Sequence, residues 1–219
     1  MFCGDFTNIK NGHGESVTAR EIQNQLKLMR AYANENFVPV MKPDAQAKLA
    51  EVCGGAQPEN ILEIGTAIGF SGIVMLEAAP CARLNTIEIN ENRAAAAKEN
   101  FQKAGMAGRL NIFLGDAKEI VREMTGEYGF IFMDGPKGAY LEFLPYLLGI
   151  LKKGGVLFCD NVGYMGLTRL ADRLPKRHKH ITIARNMSKF VKEITSCGCL
   201  ETEVFFEIGD GVSISRKIR

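Results

Sequence analysis

The run Asn60-Ile61-Leu62-Glu63-Ile64-Gly65-Thr66-Ala67-Ile68-Gly69-Phe70-Ser71-Gly72 marks where the chain changes rhythm. Residues 61–65 read as a short apolar strand, the two glycines as a tight turn, and 69–79 as the helix that follows. The same alternation continues downstream, with strands expected at 84–89, 110–114, 128–133 and 155–159 and helices at 91–104, 117–124 and 139–151. Several of these runs are apolar on consecutive residues, as parallel strands covered on both faces require. Strands alternating with helices predict an α/β class, a doubly wound, mostly parallel sheet. Near the end, 201–208, the turn Gly209-Asp210-Gly211 and 212–218 read as an antiparallel hairpin, which brings the sheet to seven strands. Upstream, Ile22, Leu26 and Met29 lie at helical intervals within 16–36. Pro39 and Pro43 break the chain there, and a second helix is expected over 44–53 with Asp44 as its N-cap. With 219 residues, 46% of them hydrophobic, the expectation is one domain over 1–219 with a helical lead-in to about residue 58.

Glycines at 65 and 69 let the backbone turn sharply and approach a ligand, and this loop lies at the carboxyl end of a strand, where open α/β sheets bind ligands. The spacing is G-x-x-x-G and not the G-x-G-x-x-G that cradles a pyrophosphate. Glu88 closes the second strand, placed to accept hydrogen bonds from both hydroxyls of a ribose. Asp116 closes the third, placed beside an adenine ring. Acids at strand ends also serve as helix caps. Taken together, the three strand ends fit an adenosyl cofactor that has no phosphates.

The fourth strand ends Phe132-Met133-Asp134-Gly135-Pro136-Lys137 and the fifth Cys159-Asp160-Asn161, both on the edge that carries the cofactor loop. Two carboxylates and an amide oxygen are hard donors suited to Mg²⁺ or another divalent cation. A cation beside a hydroxyl lowers its pKa and makes it a nucleophile, which a methyl transfer to oxygen needs. Lys137 is placed to take the hydroxyl proton, provided its reference pKa of about 10.4 is depressed. It also reads as an ordinary solvated loop lysine.

The six cysteines are scattered, and Cys197-Gly198-Cys199 alone resembles a pair; reduced thiols are expected. No apolar run approaches the ~20 residues of a membrane span. The first fifteen residues show no signal-peptide pattern, so a cytoplasmic protein with no membrane association is expected. The net charge of +2 hides an asymmetry, since residues 169–192 carry eight Lys/Arg against Asp172. That is +7 locally and −5 elsewhere, the pattern of an anionic partner or of a solvated helical face.

The segments Leu62-Glu63-Ile64-Gly65-Thr66, Asp134-x-x-Lys137-x-x-Tyr140 and Asp160-Asn161 resemble the cation-dependent O-methyltransferase family of catechol and caffeoyl-CoA O-methyltransferases, over nearly the whole chain. The resemblance implies the Rossmann-like methyltransferase fold, whose parallel sheet is closed by a reversed strand, and S-adenosylmethionine as cofactor. It implies cofactor contacts at Met41, Ser71, Glu88, Asp116 and Ala117; Glu63 and Gly65, on the loop from Glu63 to Gly72, and Asp134 are further expected cofactor contacts, and Asp134 is also expected to take part in catalysis. It also implies metal ligation by Asp134, Asp160 and Asn161, Lys137 as base, and a homodimer. Within the family the chain is most similar to a bacterial branch containing tRNA 5-hydroxyuridine methyltransferases. That likeness rests on Asp160-Asn161-Val162, on residues 180–187 (His180 to Met187) and on Ile208-Gly209-Asp210-Gly211-Val212. Gly135-Pro136 departs from the bulky aromatics of catechol enzymes and weakens a snug catechol pocket. The C5 hydroxyl and C4 carbonyl of 5-hydroxyuridine could chelate a cation as a catechol does. The basic stretch then favours tRNA, gripped at its phosphates by side chains such as Arg177 and Arg185. The alternatives are a small phenolic acceptor, or a noncatalytic cofactor sensor or RNA-binding module.

Overall fold

A computed structural model describes residues 9–10, 16–175 and 177–219. Cys3, Lys176 and most of the N-terminal stretch in which no leader pattern is read lie outside the described residues. The sheet consists of β1 (Asn60–Ile64), β2 (Arg83–Glu88), β3 (Leu110–Leu114), β4 (Tyr128–Met133), β5 (Leu151–Cys159), β6 (Leu200–Phe205) and β7 (Val212–Lys217). Their order is β3-β2-β1-β4-β5-β7-β6. The first five run parallel, and β7 is antiparallel to both of its neighbours. A separate two-residue pairing joins Ile9–Lys10 to Ser16–Val17.

The helices are α1 (Ala19–Glu35), α2 (Pro43–Ala56), α3 (Phe70–Ala78), α4 (Glu91–Lys103), α5 (Ala117–Glu123), α6 (Tyr140–Ile150) and α7 (Ile181–Ser196). Consecutive apolar residues in the strands are divided between two cores. Ile61, Phe130, Phe132, Val156 and Phe158 join residues of α1, α2 and α3 on one face. Leu62, Ile131, Met133, Leu157 and Cys159 join α6 and α7 on the other. Burial on both faces is why these strands read as apolar runs rather than alternating ones. The register pairs Ile64 with Ile87 and with Met133, and Met133 with Cys159. Gly65, Glu88, Asp134 and Asp160 therefore leave the sheet side by side.

Five expectations need correction. Helix α1 starts at Ala19 because Thr18 caps it, in a reciprocal capping box with Glu21. At α2 the N-cap is Lys42 and not Asp44, because Pro43 takes the first helical position that its missing N–H suits. Asp44 instead accepts the Gly209 N–H at 2.8 Å while Lys42 Nζ donates to the Gly209 carbonyl at 2.9 Å, which ties the lead-in to the β6–β7 turn. Strand β5 begins at Leu151, since Gly154 and Gly155 do not interrupt it. Helix α7 was not among the expected elements. It buries Ile181, Ala184, Met187, Phe190 and Ile194 and leaves Arg185, Lys189 and Lys192 on its exposed side. The other bounds lie within a few residues of expectation. Cys53, Cys159, Cys197 and Cys199 are free thiols, whereas Cys81 is disulfide-bonded, contrary to the expectation of reduced thiols throughout. Among the described residues no helix is long and apolar enough to cross a membrane.

Candidate active site

Two cavities, about 630 and 430 Å³, share Gly65, Glu88, Arg93, Asp134 and Gly135, and so form one cleft along the carboxyl ends of the parallel strands. Gly65 forms its floor at φ +98°, and a Cβ there would lie 2.5 Å from the Asp134 carbonyl oxygen. Only glycine fits that approach. At Gly69, with φ +85°, a Cβ would lie 2.8 Å from the Phe101 ring. Between them Ala67 also has positive φ, and its N–H donates to Glu88 Oε2 at 2.8 Å. The Asn90 N–H donates to Glu88 Oε1 at 2.9 Å. Each carboxylate oxygen is thereby fixed and keeps accepting capacity toward the cleft.

The smaller cavity is lined by Asp116 and Ala117 beside Ile89. Asp116 is also the N-cap of α5, accepting the Lys118 N–H at 2.8 Å, so its helix-cap reading holds while the residue lines the cavity as well. Met41 lines the larger cavity. Glu63 and Ser71 do not line the cleft. Glu63 is fully buried behind the loop and accepts hydrogen bonds from the Ser71 and Thr86 hydroxyls, so it braces the turn from inside.

Asp134, Lys137, Asp160 and Asn161 converge in the larger cavity. Lys137 Nζ donates to Asp134 Oδ1 and, at 3.0 Å, to the Tyr140 hydroxyl. Tyr140 is fully buried, its hydroxyl 2.9 Å from the Met133 carbonyl and 3.0 Å from that of Asp160. It fastens the ends of β4 and β5 together. Burial, reinforced by the neighbouring Asp134 carboxylate, holds this phenol well above its ordinary pKa, so it stays a donor. Asp160 is 1% exposed and accepts the Asn161 N–H at 2.7 Å. Among the described residues no three His, Cys, Asp or Glu form a group that could hold a metal ion; at the ends of β4 and β5 the cavity offers the Asp134 and Asp160 carboxylates and the Asn161 amide. All are oxygen donors, and the repulsion between two carboxylates in one cleft would be relieved by a dication; the residues fit a hard divalent ion.

Burial pushes the Glu63 carboxyl from 4.5 to about 7, and burial followed by the Asp134 charge pushes Asp160 from 3.8 to about 6. Both bind a proton more readily folded than unfolded, so the stability these two groups contribute without cation is fully present below their unfolded values and is lost as pH rises through about 6 and about 7. Thermal melts in chelator at pH 5 and pH 7.5 are expected to show a lower midpoint at the higher pH. Glu63→Gln should shrink that drop, and a flat wild-type profile would contradict it.

Sequence reasoning missed Arg93, which lines both cavities, and Asp210, which reaches the larger one from the β6–β7 turn. Tyr140 also has a role that its place in the sequence does not reveal. Arg177 and Arg185 are exposed and do not line the cleft.

One protein-family description fits residues 15–218, nearly the whole chain, and it reads O-methyltransferase. The chain belongs to that family. A catechol O-methyltransferase from Niastella koreensis is 37% identical over 119 residues, 52% of this chain and 52% of its own length. The chain thus spans about half the length of the curated catechol O-methyltransferases it matches first. A solved Staphylococcus aureus structure, provisionally described as a caffeoyl-CoA O-methyltransferase, superposes with TM-score 0.80 at 26% identity, covering 89% of this chain and 94% of that one. An SAH-bound Podospora anserina methyltransferase shares the fold, with TM-score 0.75 at 24% identity over 90% and 87% of the two chains. The O-methyltransferase family and the seven-stranded sheet agree with the fold expected from sequence.

Proposed function

We propose that the chain works as a single-domain, S-adenosylmethionine-dependent and cation-assisted O-methyltransferase whose acceptor is a 5-hydroxyuridine of tRNA. One observation carries the reading. A single cleft leads from Asp116 and Glu88, suited to an adenosine, to the Asp134, Asp160, Asn161 and Lys137 group. Family membership, the SAH in the Podospora structure and the oxygen acceptors in the relatives' names support S-adenosylmethionine-dependent transfer to oxygen; they do not bear on tRNA. A cofactor sensor or RNA-binding module would have no use for the oxygen-donor group beside Lys137.

When bound, the cofactor supplies an activated sulfonium methyl and a divalent cation acidifies the acceptor hydroxyl. The chain does the rest. Glu88 accepts from the ribose hydroxyls and Asp116 borders the base, which aligns the methyl with the acceptor oxygen. Lys137 receives the acceptor proton. Glu88→Ala is expected to weaken S-adenosylmethionine binding by ~1.5–3 kcal/mol, the range for hydrogen bonds to a charged group. Calorimetry giving unchanged affinity would remove Glu88 from the ribose role.

The RNA acceptor is favoured by the exposed cations Arg169, Arg173, Arg177, Lys179 and Arg185, and by Gly135-Pro136 in place of bulky aromatics. Gly135 has a packing reason too, since a Cβ there would meet Ile64 Cγ2 at 2.9 Å. If Arg177 and Arg185 grip phosphates, replacing both with Ala lowers tRNA affinity and flattens its salt dependence by roughly 0.7–0.9 log unit per contact. Turnover of catechol should be spared. An equal loss with both acceptors would place the segment in the catalytic fold instead. The small-phenol reading keeps support from the catechol and caffeoyl-CoA relatives. Nucleoside mass spectrometry of tRNA from cells lacking the protein separates the two: 5-methoxyuridine disappears and 5-hydroxyuridine accumulates only if tRNA is the acceptor. A homodimer in the cytoplasm accompanies this reading and is checked by light scattering and fractionation.

A further inference from the structure

Beside the cleft lies a third cavity, about 460 Å³, lined by Gly163, Gly166, Arg169, Leu170, Arg173, Phe206, Gly209 and Asp210. It shares Gly209 and Asp210 with the acceptor end of the cleft, so the two spaces meet across the β6–β7 turn. Three glycines keep side chains out of it, and at Gly166 a Cβ would meet nothing within 4 Å. Its two cations are Arg169 and Arg173, and among the described residues neither pairs with a carboxylate. Arg169 is held in place, its guanidinium 5.4 Å from the centre of the Phe206 ring. Asp172, the nearest acid in sequence, is drawn to Lys192 at 3.8 Å. The lining holds one carboxylate, Asp210, whose two oxygens both accept the Met165 N–H at 2.8 and 2.9 Å. Two guanidiniums without a carboxylate partner among the described residues, one of them over a phenyl ring, thus face a chamber whose single carboxylate, Asp210, accepts a backbone N–H.

We infer that this chamber is a phosphate subsite, in which Arg169 and Arg173 grip a phosphate group covalently part of the acceptor. A guanidinium presents paired N–H donors that match two phosphate oxygens at once, and the cation–π contact with Phe206 draws Arg169 to this wall of the chamber. The inference deepens the methyltransferase reading above and rests on it only in taking the phosphate to be the acceptor's own. The phosphate could belong to a nucleotide of an RNA or to a coenzyme-type thioester, and both present the same group to the arginines.

The test uses the full chain with Mg²⁺ and S-adenosylmethionine and compares wild type with Arg169→Gln and Arg173→Gln. The acceptors are catechol, 5-hydroxyuridine, 5-hydroxyuridine 3′- and 5′-monophosphates, and caffeoyl-CoA. The expected result is a roughly ten-fold or larger rise in KM for whichever phosphate-bearing acceptor is used, with kcat and the KM of the phosphate-free acceptors unchanged. A rise with the nucleotides alone identifies the RNA-type source, and one with caffeoyl-CoA alone the coenzyme type. Equal effects on all acceptors, or none, overturn the subsite. Phosphorus NMR of inorganic pyrophosphate mixed with each protein supplies a readout that needs no turnover. If no acceptor is methylated, yet wild type broadens the pyrophosphate signal and both variants do not, the methyltransferase reading fails and the subsite stands. If wild type and variants broaden it alike, the subsite fails.

Discussion

Asp160→Asn will reduce methyl transfer by on the order of 10²–10⁴-fold while leaving the protein folded and its cofactor affinity near that of wild type. The side chain is 1% exposed at the end of β5 and shares its cavity with Asp134, and burial followed by the Asp134 charge makes Asp160 harder to ionise. An amide keeps the volume of the carboxylate and an oxygen that can still accept the Asn161 N–H. It removes a buried charge, so the cation-free variant should melt no lower than wild type near neutral pH. What it discards is half of the anionic donor set on which a hard cation depends. The same loss should therefore follow from treating wild type with chelator, and added Mg²⁺ should restore wild type but not the variant. Kinetics against Mg²⁺ concentration, calorimetry with S-adenosylmethionine and a melting curve cover the three parts. Full wild-type activity in excess chelator would end the cation-assisted mechanism.

How far the sequence reached is governed by topology. Strand β4 and the end of β5 were legible because their consecutive residues are divided between two cores, which makes them apolar on successive positions. Strands β1, β2 and β3 were legible from shorter apolar stretches broken by Glu63, Asn85, Thr86 and Asn111. Their terminal residues Glu88, Asp134 and Asp160 were legible as a site because a parallel sheet brings strand ends to one edge. The limits lie where a role depends on a neighbour distant in sequence. Glu63 reads like a ligand residue, yet its partners are the Ser71 and Thr86 hydroxyls inside the fold. Tyr140 bridges the ends of two strands, Met133 and Asp160, which is visible only once those strands are adjacent. Asp210 looks like a turn residue between two glycines, and it becomes part of the cleft because Asp44 and Lys42 draw that turn toward the lead-in. Helix α7 could have been found. Its buried residues recur every three or four positions, but the basic side chains between them dominated the reading of 169–192. The charge in that stretch is real. Its division into a packed face and an exposed one comes from the structure.

Lys137→Met is expected to lower kcat by ~10²–10⁴-fold for an acceptor whose hydroxyl is protonated at the assay pH, the range for losing a positioned general base. The lysine stands in the short turn Lys137–Ala139 that follows Pro136, and its Nζ lies between Asp134 Oδ1 and the Tyr140 hydroxyl. Tyr140 is itself tied to both strand ends, so the amine is held where an acceptor oxygen near Asp134 and Asp160 would release its proton. A solvated loop lysine would not be fixed at two points. Two comparisons separate a base from a mere positive charge. An acceptor already ionised at the assay pH, such as 4-nitrocatechol, needs no base, so Lys137→Met should cost it much less than it costs catechol. Lys137→Arg keeps the charge but cannot give up its proton, so it should be nearly as slow as the Met variant with catechol. Recovery in the Arg variant would show that Lys137 acts through its charge, and equal losses for both acceptors would show that it serves only to shape the loop.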